Sequence, residues 1–206
     1  PSQPGHWIYE VKLADRFLMS SHVTDSEREL ARRGLARAAG SGLSVLVGGL
    51  GLGYTAAEAL TCDRVERVVV VERLPEVLGW FERGLVPMAQ TLCDEPRCEL
   101  RQGDCLAMLR EPDPEPFDVV LIDIDDSPIH LLSDDHEEFY SVAGLAQARR
   151  SLRPGGVLAL WTSLPAEPEV TERLQQAFTA ADVEEVRFDN PLLQRGEVNA
   201  IYFASA

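Results

Sequence analysis

Several features are missing from this sequence, and each absence excludes something. No stretch reaches the roughly 20 consecutive apolar residues of a membrane-spanning helix; the richest run, Val65 to Val77, is interrupted by charge. Pro1 to Gly5 is neither basic nor followed by the apolar core of a secretion leader, so a cytoplasmic protein is expected. Cysteine is scarce. Cys62, Cys93, Cys98 and Cys105 form no C-x-x-C pair and no His-x-x-x-His follows, which predicts reduced thiols and no metal site. Positive charge is short too: 19 Lys and Arg face 34 Asp and Glu, and the net charge of −15 argues against a nucleic-acid partner. An acidic cleft would instead concentrate cations, a small amine among them. Internal repeats and low-complexity segments are absent.

What is present is the alternation of a parallel α/β sheet. The 206 residues suffice for one globular unit, read as an N-terminal hairpin and helix over 1–40 followed by a Rossmann-like domain over 41–206. Trp7, Tyr9, Val11 and Leu13 alternate with polar neighbours as a half-buried strand does, and Phe17 to Met19 returns as its hairpin partner. Thr24 or Asp25 caps a helix running to about Ala39, with Glu27 placed for a capping box. Continuous apolar runs at Leu43–Val47, Val65–Glu72 and Phe117–Ile124, a weaker one at Cys98–Gln102, and Val157–Trp161 after an Arg-Pro-Gly-Gly turn predict buried parallel strands. Helices are expected at Tyr54–Leu60, from Pro75, at Phe139–Leu152 and at Glu167–Ala180. The final strands, Val183–Phe188 and Val198–Phe203, lie too close for a helical crossover, so the last strand should run antiparallel.

Between the first buried strand and its helix lies Gly48-Gly49-Leu50-Gly51-Leu52-Gly53. Four glycines in six residues exceed what a tight connection needs, and they let a ligand approach the backbone. Glu72 ends the second strand, where an acid accepts hydrogen bonds from ribose hydroxyls, and Arg73 follows it. Asp104, in Gly103-Asp104-Cys105 after the third strand, is placed to accept from an adenine amino group. These elements follow the carboxyl ends of consecutive strands, where open α/β sheets bind ligands. The spacing differs from the G-x-G-x-x-G of dinucleotide folds, which favours an adenosyl ligand without pyrophosphate.

With Val47-Gly48-Gly49, Val71-Glu72, Gly103-Asp104, Asp123-Ile124-Asp125-Asp126, Glu138-Phe139-Tyr140 and Leu152-Arg153-Pro154-Gly155-Gly156 in this order, the sequence resembles the spermidine synthase-like branch of class I methyltransferase-fold proteins over Leu18 to Trp161. The resemblance implies a seven-stranded, mostly parallel sheet with an antiparallel last strand. It also implies S-adenosylmethionine or its decarboxylated form on Gly48, Gly49, Gly51, Gly53, Glu72, Arg73, Asp104, Cys105 and Asp123. Asp123 and Asp126 match the positions of the base and the amine anchor. Ser20, Ser21, His22, Asp125, His130 and Tyr140 are candidate acceptor-side residues.

The sequence also departs from that family. Gly51 replaces an acid of the glycine turn, no Gln or Tyr lies between Arg16 and Gly40, Trp161 stands where Gln is usual, and the N-terminal β-domain is cut to a hairpin. Trp80, Phe81 and Trp161 read as core residues. Gly51 and the short N-terminus lead to an expectation of methyl transfer to a small-molecule nucleophile such as an amine. Aminopropyl transfer from the decarboxylated donor is the alternative, and a non-catalytic nucleotide-binding protein with a regulatory or assembly role is a third reading. A homodimer is left open.

Overall fold

The structure, a computed structural model, describes residues 7–111, 115–190 and 194–206. The Pro1 to Gly5 segment, the middle of the expected 111–116 loop and part of the 189–197 connection lie outside the described residues. In chain order the elements are β1 (Glu10–Leu13), β2 (Arg16–Ser20), α1 (Asp25–Arg37), β3 (Leu43–Gly48), α2 (Tyr54–Leu60), β4 (Val65–Glu72), α3 (Pro75–Glu82), α4 (Ala89–Cys93) and β5 (Cys98–Gln102). They continue with α5 (Cys105–Arg110), β6 (Phe117–Ile122), α6 (Glu137–Tyr140), α7 (Val142–Ala148), β7 (Leu152–Thr162), α8 (Pro168–Ala177), β8 (Ala180–Asn190) and β9 (Arg195–Ser205). β1 and β2 form a separate antiparallel hairpin; the others build one seven-stranded sheet in the order β5-β4-β3-β6-β7-β9-β8. Only β9 opposes its neighbours, pairing antiparallel with both β7 and β8, as expected of the last strand.

Alternation within the apolar runs explains the two-sided burial. Val45, Val47, Val68, Val70, Val119 and Leu121 face one layer with α1 and α2, while Leu46, Val69, Val71, Val120 and Ile122 face the other with α5, α7 and α8. Each fully buried valine or leucine contributes about 1.5–3 kcal/mol, so polar residues are excluded from these runs and gather at the strand ends.

Local chemistry moved several boundaries. The helix expected over 139–152 is broken at Ser141, whose extended backbone and hydroxyl cap α7 by accepting from the Gly144 N–H at 3.0 Å. The Arg153 to Gly156 turn is an irregularity inside β7, where the register skips opposite Asp118 and Gly155 takes a φ of +76°. α4 and α5 lay outside the sequence expectation; α5 starts at Asp104, whose carboxylate accepts from the Ala107 N–H at 2.9 Å. The capping box did not form. Thr24 precedes α1 without a side-chain cap, and Glu27 is turned inward and only 7% exposed.

At the sheet's carboxyl edge three strand ends meet. Gly49 donates to the Val71 carbonyl at 3.0 Å and Asp123 donates to the Gly48 carbonyl at 2.9 Å. Gly49 has a φ of +90°, and a Cβ on it would lie 2.2 Å from the Asp123 carbonyl oxygen. Gly49→Ala should therefore lose about 2–4 kcal/mol of stability through strain and overpacking; denaturant unfolding showing less than about 1 kcal/mol would contradict this close approach.

Candidate functional site

Over that edge lies a cavity of about 650 Å³, bounded by the hairpin, the glycine turn and the ends of β4, β5, β6 and β7. At one end Gly49 and Gly51 form its floor. Glu72 is 8% exposed, accepting from Leu50 N–H at 3.0 Å through one oxygen and from Leu74 N–H at 2.8 Å through the other. Two backbone donors fix its orientation, and each oxygen keeps a lone pair for a ligand. Asp104 divides its work: Oδ1 caps α5, while Oδ2 lies 3.9 Å from Arg73. Arg73 also meets Asp135 at 3.1 Å and the His136 Nε2 at 3.4 Å, so it ties the loop before α6 to this end.

Asp123 also lines the cavity, and its Oδ2 accepts from the Thr55 hydroxyl at 2.9 Å. Loss of hydration pushes its carboxyl up to about 6, the Thr55 bond opposing the rise. Glu27 lines the same cavity, its backbone carbonyl 3.4 Å from the Thr55 hydroxyl. Burial first, then the nearby Asp123 charge, push its carboxyl up to about 7, although the Ser26 hydroxyl donates to Oε2 at 2.9 Å. Both carboxyls thus keep their protons to a higher pH than exposed acids do.

The sequence-predicted residues divide cleanly. Gly49, Gly51, Glu72, Arg73, Asp104, Cys105, Asp123, Asp126 and Ser20 line the cavity. Gly48 and Gly53 support it from behind: a Cβ on Gly48 would meet Cys105 Sγ at 2.8 Å, and one on Gly53 would meet Leu92 at 2.9 Å. Cys105 is buried, which pushes its thiol up and leaves it unreactive. Ser21 is turned to the Tyr9 N–H at 2.9 Å, while His22 and His130 are exposed and stand off the cavity. His130 closes a turn on Ser127.

Asp125 and Tyr140 were expected on the acceptor side, but their side chains are spent elsewhere. Asp125 is 2% exposed and accepts from Leu132 N–H at 2.6 Å, His136 Nδ1 at 2.9 Å and the Tyr140 hydroxyl at 3.0 Å. It anchors the loop between β6 and α6. Asp126 is paired with Arg16 of the hairpin. Trp161 packs against the core, as expected, but also lines the cavity, and its buried Nε1 has no hydrogen-bond partner among the described residues.

Sequence reasoning missed Glu27, Thr55 and His136 as cavity residues. For Glu27 a signal existed, since it shares a helical stripe with the buried Leu30, Ala31 and Gly34. An acid on an apolar stripe is out of place unless it faces something polar. His136 carried no such signal, because its position depends on a long loop. Among the described residues no helix is long and apolar enough to cross a membrane, and no group of three His, Cys, Asp or Glu is arranged to hold a metal ion.

Two outcomes follow from this geometry. Asp125→Ala should cost about 3–5 kcal/mol by stranding three buried donors, whereas Asp126→Ala breaks only a half-exposed ion pair and should cost under about 1 kcal/mol; equal melting temperatures for the two would contradict the anchor. Glu27 has a folded-state pKa raised from 4.5 to about 7, so its contribution is full below the lower value and is lost as pH rises through the upper one. Glu27→Gln should therefore gain stability over the parent at about pH 8 and match it at about pH 4.5, as thermal unfolding across pH will read.

Comparison with known proteins identifies the family. Residues 36–186 match the family described as the spermine/spermidine synthase domain. Polyamine aminopropyltransferase 2 of Pseudomonas aeruginosa is 38% identical over 120 residues, covering 56% of this chain and 32% of that protein. Putrescine N-methyltransferase 2 of Nicotiana tabacum is 28% identical over 141 residues, covering 65% of this chain and 38% of that protein. The matched stretch thus spans about a third of the length of these relatives. A crystal structure of spermidine synthase in complex with the transition state analogue AdoDATO superposes with a TM-score of 0.73 at 21% identity, covering 92% of this chain and 63% of that one. With its fold, its strand-end motifs and most of its length accounted for in this way, the chain belongs to the spermine/spermidine synthase domain family.

Proposed function

We propose that this chain carries the site of a polyamine aminopropyltransferase, moving an aminopropyl group from decarboxylated S-adenosylmethionine to a small amine. The observation that carries this reading is the charge around the cavity. Glu27, Glu72, Asp104, Asp123, Asp126 and Glu197 line it, and Arg73 is the only arginine or lysine that does so among the described residues. Arg73 is already engaged by Asp104 and Asp135. A donor bearing a carboxylate would enter this field without a free cation to meet it. The decarboxylated donor brings two positive charges and none of that repulsion.

The residues present fit such a ligand. Gly49 and Gly51 bring backbone to the cavity wall, Glu72 offers oriented lone pairs for a ribose diol, and Asp104, also in the wall, would accept from an amino group. When bound, the donor supplies a carbon activated by a neighbouring sulfonium. Asp123 accepts the proton that an attacking amine must lose, and Thr55 fixes its orientation. Asp126 would exchange Arg16 for an ammonium group, a modest cost for a half-exposed pair.

Methyl transfer was expected from the missing acid at Gly51. The hairpin offers another account of that glycine: a Cβ there would lie 2.6 Å from Met19 Sδ, so packing by Met19 fills the place. The relatives named polyamine aminopropyltransferase support the aminopropyl reading better. The putrescine N-methyltransferase likeness keeps methyl transfer as a second reading.

Calorimetry with the two donors separates them. The decarboxylated form should bind at least about tenfold tighter, since even a third of the roughly 4 kcal/mol between close charges at intermediate dielectric suffices; a preference for S-adenosylmethionine would overturn the proposal. Asp123→Asn should lower turnover of the decarboxylated donor with putrescine by about 10²–10⁴-fold at unchanged donor affinity. Donor binding without any turnover by the parent chain would favour the non-catalytic reading.

A further inference from the structure

The proposed reaction has to hold an ammonium group and then remove a proton from it, and the cavity contains a second carboxylate that the family resemblance does not assign. Glu27, in the first turn of α1, lines the same cavity as Asp123, and the Thr55 hydroxyl reaches both residues, 2.9 Å from Asp123 Oδ2 and 3.4 Å from the Glu27 carbonyl. Neither side chain is paired with an arginine or lysine among the described residues. The adjacent Arg28 is committed to Glu58 at 2.8 Å and lies over the Tyr54 ring, 5.0 Å from its centroid. Two carboxylates without a cation, one buried and one half-buried, are costly to keep together.

An independent feature at this cavity also lacks a partner. Trp161 of β7 lines it, and its buried Nε1 has no hydrogen-bond partner among the described residues. β7 and β9 pair Trp161 with Ile201, which places Trp161 on the same sheet face as Asn199, another residue of the cavity wall, and α1 covers that face. An unsatisfied buried donor of this kind points to a polar ligand.

Resting on the aminopropyl-transfer reading, we propose that Glu27 and Asp123 act as one proton-sharing pair that seats the acceptor's ammonium group and takes the proton lost on attack. Amine binding displaces the shared proton to solvent, leaving two carboxylates around one ammonium. The ammonium gives a proton back to the pair, the freed nitrogen lone pair forms the new N–C bond, and the C–S bond breaks with its electrons going to sulfur. The secondary amine leaves protonated, and the pair retains one proton for the next cycle. The Thr55 hydroxyl, 2.9 Å from Asp123 Oδ2 and 3.4 Å from the Glu27 backbone carbonyl, holds the two residues beside one another.

The charged groups around Glu27 are consistent with this role. Asp25 on its own helix raises its affinity for a proton, and Asp123 at the end of β6 does so more strongly. From α2 come the Tyr54 phenol and Glu58, the latter neutralised by Arg28 and Arg32. Further along, Glu197 of β9 is held by Arg195 and Asn190, and Asp126 by Arg16. None of these supplies a cation to the pair, so an incoming ammonium would.

The test is calorimetric titration of putrescine into the full chain saturated with methylthioadenosine, in two buffers of different ionisation enthalpy, at about pH 6.5 and about pH 8.5. The parent should release a proton on amine binding at the lower pH and little at the higher. Glu27→Gln should abolish that release and weaken putrescine about tenfold or more, with methylthioadenosine affinity unchanged. Glu27→Asp, which keeps the charge on a shorter arm, should retain the release in part. Parental putrescine affinity and proton release in Glu27→Gln would overturn the pair, as would the absence of release from the parent at about pH 6.5, a readout that needs no variant to fold. If methylthioadenosine does not bind the parent, the functional reading itself falls and takes this inference with it; intact methylthioadenosine binding with an unaltered Glu27→Gln sinks the Glu27 role alone.

Discussion

Everything at the site depends on one close contact, where the backbone of Gly49 passes over the carbonyl of Asp123. Only a residue without a Cβ fits there, because the added carbon would lie 2.2 Å from that oxygen. The contact holds the ends of β3 and β6 together, and the Gly49 bond to Val71 adds the end of β4. Three mostly apolar strands thus deliver Glu72 and Asp123 to one cavity. Without that tight floor the two carboxylates would not share a cavity of this size, and the chemistry assigned to each would have nothing to connect it.

The second constraint is electrostatic. Carboxylates outnumber cations around the cavity, and where they are paired the partner is structural: Arg73 for Asp104, Arg16 for Asp126, Arg195 for Glu197. Asp125 shows the opposite use of an acid, since three donors consume it and it holds a loop in place. Neighbouring acids in Asp123-Ile124-Asp125-Asp126 therefore do different things. Asp123 and Asp126 line the cavity, whereas Asp125 faces the interior, because the chain leaves β6 at Ile122 and the loop donors turn Asp125 inward.

Much of this was legible in the sequence because it is governed by short-range rules. Apolar runs such as Val68 to Val71 announce buried strands, and the short gap before β9 announces its reversed direction. Glycines at 49 and 51 and acids at 72, 104 and 123 sit at strand ends, where local pattern and global fold agree. What escaped depended on contacts distant in the chain. Thr24 and Glu27 read as a capping box by spacing, but the pull of Glu27 toward the cavity involves Asp123, nearly a hundred positions away. Trp161 read as core because an indole is mostly apolar; its unpaired Nε1 becomes visible only once the cavity is closed by β7 and β9. Ser141 could have been read as a break, since a serine hydroxyl can cap a helix, as it does here on the Gly144 N–H; the apolar run around it hid that signal.

The account's central claim is that one cavity holds an adenosyl group at Glu72 and Asp104 and an ammonium between Glu27 and Asp123. A crystal structure of the protein grown with methylthioadenosine and putrescine tests it most directly. The account predicts the ribose hydroxyls on Glu72, the adenine amino group on Asp104, and one putrescine nitrogen within hydrogen-bonding distance of both Glu27 and Asp123. Nucleoside density away from Glu72, or a putrescine nitrogen engaged elsewhere with Glu27 and Asp123 left facing only each other, would contradict it.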